Sequence, residues 1–199
     1  LVKIRAKAMS EAMNGVEGGM AAVIGLSSKE VSDICKELSG NSQIIQPVNF
    51  NSGNQTVVGG HMSVLQNSID TFRKKGAKIV KILPVSIAAH TTLMTECSDI
   101  LRKELINNDL KDSIFPIIYN IDGASRSSKD DIIDAGCKQV HSPVMWTDTI
   151  NNIGKLDISV FIEVGPGKVL TGLNSRILKN VTTISISDLN NIDQALELL

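Results

Sequence analysis

Apolar positions change period several times over residues 18–83, and each change marks the end of one short element. Residues 20–25 are apolar and β-compatible, which predicts a strand. In 28–38 the apolar residues Val31, Ile34, Cys35 and Leu38 fall at i, i+3, i+4 and i+7, the spacing of one helix face. Residues 44–50 and 55–59 read as two strands around an Asn51-Ser52-Gly53-Asn54 turn. A second helix over 62–75 carries Val64, Leu65, Ile69 and Phe72 and is closed by Gly76, and 78–83 is a fourth strand.

The order β-α-β-β-α-β predicts a ferredoxin-like split motif. After Pro84 the elements lengthen. A helix is expected over 91–106, with Leu93, Met94, Cys97, Ile100, Leu101 and Leu105 on one face. An apolar strand follows over 114–121, interrupted by Pro116, and a helix over 128–140 is capped by Ser128. Ser142-Pro143 breaks the chain before a short helix from 147, a strand over 158–164 and a helix over 168–178. Such alternation predicts an α/β fold with a parallel sheet. The expected division is a small subdomain at 16–84 inserted in a larger one formed by 1–15 and 85–199. Residues 1–9 read as the middle of an amphipathic helix without a cap, so further chain is expected upstream.

Val160-Phe161-Ile162-Glu163-Val164 runs into Gly165-Pro166-Gly167 and then a helical pattern, a strand-turn-helix joint. In open α/β sheets such joints face the site, although the same turn can merely end a buried strand.

Composition narrows the function. The 199 residues carry a net charge of −1, with one Trp, one Tyr and four Phe, which leaves neither a basic track nor stacking platforms for nucleic acid. The longest apolar runs, such as 114–118, are far short of a membrane span. Cys35, Cys97 and Cys137 are odd in number and widely spaced, each on the apolar side of a predicted helix. They read as small buried hydrophobes of a cytoplasmic protein rather than a disulfide framework or metal site.

Of three histidines, His61 at a helix start and His141 beside Ser142-Pro143 suit structural roles. His90 closes the apolar segment Leu83-Pro84-Val85-Ser86-Ile87-Ala88-Ala89, which would set an imidazole at the rim of the core as a general base. Composition alone still favours a satisfied structural histidine there.

Five ordered segments sharpen this. Residues 1–9, Pro47-Val48-Asn49-Phe50-Asn51-Ser52, 83–90 followed by Leu93-Met94, Ser142-Pro143-Val144-Met145-Trp146, and 163–173 together resemble the bacterial malonyl-CoA:acyl carrier protein transacylases. The resemblance implies an α/β-hydrolase-like fold with a ferredoxin-like insertion, and an acyltransferase of fatty acid biosynthesis. Such an enzyme moves malonyl from coenzyme A to acyl carrier protein through an acyl-serine, without metal or redox cofactor. It implies that His90 is the catalytic histidine and that Arg5 binds the malonyl carboxylate. The Gln139 main-chain carbonyl would fix the histidine tautomer, a role tolerant of side-chain change. Asn49 and Asn51 match polar positions near the cleft mouth, where turn formation is an equal alternative.

The family nucleophile lies in a G-x-S-x-G elbow, and none occurs in these 199 residues. The chain therefore reads as the C-terminal two thirds of such an enzyme, inactive alone. Ala88-Ala89 stand where relatives often carry a bulkier residue, which leaves selectivity among acyl groups open. The alternatives are a polyketide-pathway acyltransferase, sharing the same residues, and a non-catalytic small-molecule-binding module. Arg5 and His90 converging on one cleft would favour the enzyme.

Overall fold

The computed structural model describes residues 1–188 and 190–198. The chain starts with helix α1 (Val2–Ala12), then builds β1 (Gly18–Ile24), α2 (Ser28–Leu38), β2 (Ile45–Ser52), β3 (Gln55–His61), α3 (Met62–Lys74) and β4 (Ile79–Ile82). These strands form one antiparallel sheet in the order β2-β3-β1-β4. Alternate residues of each strand point to one face, so Ala21, Val23, Ile45, Val58 and Val80 meet Val31 and Ile34 of α2 and Leu65 and Phe72 of α3 in a single buried cluster. Helix α2 starts where Ser27 and Glu30 cap each other reciprocally. At the other helix, Gly76 (φ 107°) makes the left-handed turn that closes α3.

The turn between β2 and β3 is tighter than the sequence suggests, because β2 runs on to Ser52 and leaves only Gly53 and Asn54 before β3. The register of β2 slips between Pro47 and Asn49 and between Phe50 and Ser52, which makes Val48 and Asn51 bulge residues. Asn51 is thus a strand residue rather than a turn residue.

The second part is mostly helical. A 3-10 turn at Thr92–Met94 leads into α4 (Thr95–Asn107), followed by β5 (Ile117–Ile118), β6 (Ser125–Arg126), α5 (Lys129–Gln139), α6 (Trp146–Ile153), β7 (Val160–Val164), α7 (Val169–Ile177), β8 (Thr182–Ile186) and α8 (Asn190–Leu196). Its core joins α1, α4 and α5 through Ala8, Met9, Met94, Leu101, Ile133 and Val140. Cys97 and Cys137 are buried there and Cys35 is buried in the other cluster, all three free, as their helix positions predict.

Two expectations change. The strand over 114–121 shrinks to Ile117–Ile118, paired antiparallel with Ser125–Arg126. Pro116 can donate no ladder bond, and the Ser113 hydroxyl accepts from the Phe115 amide instead, so the preceding residues curl out of strand geometry. Among the described residues, parallel pairing between strands is confined to β7 and β8, the second of which carries no mark strong enough to be read from sequence. The strand-turn-helix joint forms as expected, with Gly165 (φ 147°) and Gly167 (φ 91°) in backbone conformations other residues rarely adopt.

The two parts meet at the outer edge of β2. The Phe50 amide donates to the Val144 carbonyl at 2.9 Å, and the Val144 amide to Val48 at 2.8 Å, so the segment after Ser142-Pro143 runs as a one-residue parallel bridge beside Asn49. The Thr147 hydroxyl adds a bond to the Phe50 carbonyl. No helix among the described residues is long and apolar enough to cross a membrane.

Candidate active site

His90 sits between Ala88, which is fully buried, and the 3-10 turn that opens α4. Its φ is 64°, making it the single described non-glycine residue in the left-handed region. Histidine enters that region more readily than β-branched residues, yet such a backbone is held only when its surroundings over-determine it. They do so here. The His90 amide donates to the Val140 carbonyl at 3.0 Å, and Thr91 turns its hydroxyl back onto the Ala88 carbonyl at 2.7 Å.

The ring is fixed from the end of α5. Its Nδ1–H donates to the Gln139 carbonyl at 2.7 Å, which leaves the Nε2 lone pair free to take a proton. Burial pushes the imidazole below the ordinary histidine range; the Gln139 carbonyl opposes this, the Arg5 charge lowers it further, and the Ser142 carbonyl opposes it again. The result is a neutral base at neutral pH with a defined tautomer.

His90 opens on a cavity of about 620 Å³ between the two parts of the molecule, walled by Lys36 of α2, Gln46 and Pro47 of β2, Thr92, and His141. The Gln46 side-chain carbonyl accepts from the Thr92 amide at 2.9 Å, which satisfies an orphan donor of the 3-10 turn and joins β2 to the His90 segment. Arg5 projects from α1 into an adjoining cavity of about 320 Å³ among Leu101, Leu105, Tyr119 and Ile132. The two cavities share the 139–141 segment as a wall, and the Arg5 charge is felt at His90. No carboxylate among the described residues pairs with Arg5, so a half-buried guanidinium faces an apolar pocket with its bidentate donors available to an anion.

The remaining predicted positions divide. Gln139 lines the Arg5 cavity and contributes its main chain to His90. Asn49 and Asn51 lie on β2, half-buried, Asn49 at the bridge to Val144 and Asn51 at the second bulge, and neither lines the His90 or the Arg5 cavity. His61 is structural, because its Nδ1 accepts from the Ile44 amide at 3.0 Å. The joint at Gly165-Pro166-Gly167 is explained locally: the Glu163 carboxylate accepts from the Leu170 and Thr171 amides and from the Thr171 hydroxyl, closing the start of α7. Partial burial alone would raise the Glu163 pKa, but these donors outweigh it and hold the carboxyl below the ordinary glutamate range. Sequence reading missed the carbonyls of Val140 and Ser142, because a main-chain acceptor leaves no trace in side-chain identity.

No protein-family model matches the chain. Curated proteins and solved structures do. The malonyl CoA-acyl carrier protein transacylase of Escherichia coli strain K12 is 36% identical over 198 residues, covering 100% of this chain and 64% of the relative. An acyl-carrier-protein S-malonyltransferase from Burkholderia pseudomallei superposes with a TM-score of 0.92 at 37% identity, over 98% of this chain and 64% of that one. A type II PKS acyl-carrier protein in complex with its malonyl-transacylase includes a chain that superposes at 0.94 and 34% identity, over 100% of this chain and 64% of that one. This chain is therefore similar along its whole length to the malonyl transacylases and spans 64% of the first of them.

Proposed function

We propose that this chain supplies the base and the carboxylate-binding arginine of a malonyl-CoA:acyl carrier protein transacylase of fatty acid biosynthesis. The observation that carries the reading is a neutral imidazole with its Nδ1–H tied to Gln139 and its Nε2 free, beside an arginine that no carboxylate among the described residues pairs with. In the proposed reaction His90 Nε2 takes the proton of a serine hydroxyl as that oxygen attacks the malonyl thioester. The carbon–sulfur bond breaks, and the coenzyme A thiolate takes the proton from the imidazolium. The second exchange runs the other way: His90 deprotonates the phosphopantetheine thiol, the thiolate attacks the acyl-serine, and the serine oxygen recovers the proton. Arg5 holds the malonyl carboxylate throughout. The serine would come from outside these 199 residues, which carry no nucleophile elbow.

The fold assignment is part of the proposal. The sheet order β2-β3-β1-β4 with α2 and α3 packed on one face supports a ferredoxin-like unit at 16–84. The parallel β7–β8 pair and α7 support an α/β-hydrolase-like layer made of 1–15 and 85–199. Asn49 and Asn51 would stand at the cleft mouth, and the enzyme would work in the cytoplasm without cofactor. A polyketide pathway is the second reading, favoured by the PKS complex among the structural neighbours.

Arg5→Ala, in a protein that also carries the serine, tests the assignment. Losing the partner of a desolvated charge costs about 2 to 5 kcal/mol, so malonyl transfer should fall by orders of magnitude while acetyl transfer holds or improves. Equal loss for both thioesters would make Arg5 structural and defeat the proposal.

A further inference from the structure

Gln139 does more at this site than lend a main-chain carbonyl. Its side-chain Nε2 donates to the Ser142 carbonyl at 3.2 Å and approaches the Pro143 carbonyl at 3.4 Å, closing the turn that follows α5. Two carbonyls can be satisfied only by N–H groups, so the amide orientation is dictated by its acceptors. The Ser142 carbonyl also faces the His90 ring, and the residue two places on, Val144, is bonded to β2 on both sides. The same turn thus carries a carbonyl dipole that favours the charged imidazole and the strap that joins the two parts of the molecule. An amide clamp across four residues is what fixes its shape.

We infer that the Gln139 side chain is a positioning residue for His90, its amide holding the Ser142 carbonyl against the imidazole whose Nδ1–H the Gln139 main chain already binds. This deepens the proposed function, and rests on it only for the meaning of His90 as a base. Without the amide the turn relaxes, the Ser142 carbonyl no longer favours the charged ring, and the ring keeps its tautomer but loses its fixed tilt. The charged and titratable groups around the ring are Arg5 on α1, Cys35 and Lys36 on α2 and His141 on the turn itself, and none of them changes when Gln139 does.

The test is NMR titration of the histidine rings in this chain, which needs no acyl transfer and so can fail independently of the malonyl assignment. Gln139→Met keeps length and main chain but removes both donors. The His90 midpoint should fall by about 0.5 to 1 pH unit. An unchanged His90 midpoint overturns the inference. Should Gln139→Met fail to fold, the unaltered protein decides: the Gln139 side-chain amide resonances should shift with the His90 midpoint, and amide resonances flat through that titration overturn it.

Discussion

The two parts of the molecule bury their apolar residues with very different success. In the β1–β4 unit Val23, Val58, Leu65 and Phe72 are wholly buried, and every strand finds its partners inside the unit. In the second part Ile114 is 90% exposed, Phe115 72%, Val164 79% and Val169 72%, although the sequence around each is as apolar. The difference lies in the size of the layers. Four antiparallel strands make one face broad enough for α2 and α3 to cover, whereas β5–β6 and β7–β8 are sheets of two strands each and leave apolar residues beside them uncovered. The histidine and the arginine both stand on the second, less self-sufficient part.

Core truncation should separate the two parts most strongly. Phe72→Ala should cost about 3 to 5 kcal/mol in denaturant unfolding, whereas Phe115→Ala should stay within about 0.5 kcal/mol. Comparable losses would break the contrast. Glycine replacement tests it by a second route. A Cβ on Gly60 would lie 2.1 Å from the Ile44 carbonyl oxygen and 2.8 Å from the Ile45 Cα, so Gly60→Ala should cost about 1 to 3 kcal/mol by forcing β2 and β3 apart. A Cβ on Gly165 meets nothing within 4 Å, so whatever Gly165→Ala costs in denaturant unfolding comes from φ alone.

Removing the carboxylate at α7, Glu163→Ala, should cost about 0.5 to 2 kcal/mol, the range of a lost helix cap. Because the folded Glu163 pKa is depressed, its contribution is present above the unfolded value and lost as pH falls through the folded one. The wild-type advantage over Glu163→Ala should therefore shrink in acid; an advantage constant with pH would refute the capping role.

The smallest effect is expected at His90. His90→Gly should be more stable than His90→Ala by about 0.5 to 1 kcal/mol, because only glycine takes a φ of 64° without cost. The depressed His90 pKa has its own signature: the stability it contributes is complete above the ordinary histidine value and lost as pH falls through the folded one. The gap in melting temperature between wild type and His90→Ala should move in that direction on acidification, and the opposite sign would mean that the ring is charged in the folded state.

Legibility followed the same division. Helix faces, caps and strands of the β1–β4 unit were readable because each is encoded within a dozen residues: Ser27 with Glu30, Val31 with Ile34, Gly76 after α3. The five ordered segments led to the transacylases, to which this chain is similar along its whole length. Strand 114–121 was misjudged because its composition suits a strand while its Ser113 and Pro116 chemistry does not. The left-handed backbone at His90 and its carbonyl partners were invisible, since they depend on how the end of α5 meets a segment 49 residues away.

The one-residue bridge between Val144 and β2 also governs how copies of this chain could associate. An outer strand offers its unpaired amides and carbonyls to any passing chain, and β2 would do so at Phe50 and Val48 had Val144 not taken both. The opposite border of the sheet, β4, has no such cover among the described residues, but Lys78 and Lys81 are exposed along it and would bring like charges together in any edge-to-edge stack. One border is occupied and the other is charged, so this sheet resists growing into a ribbon of many molecules by two unrelated means.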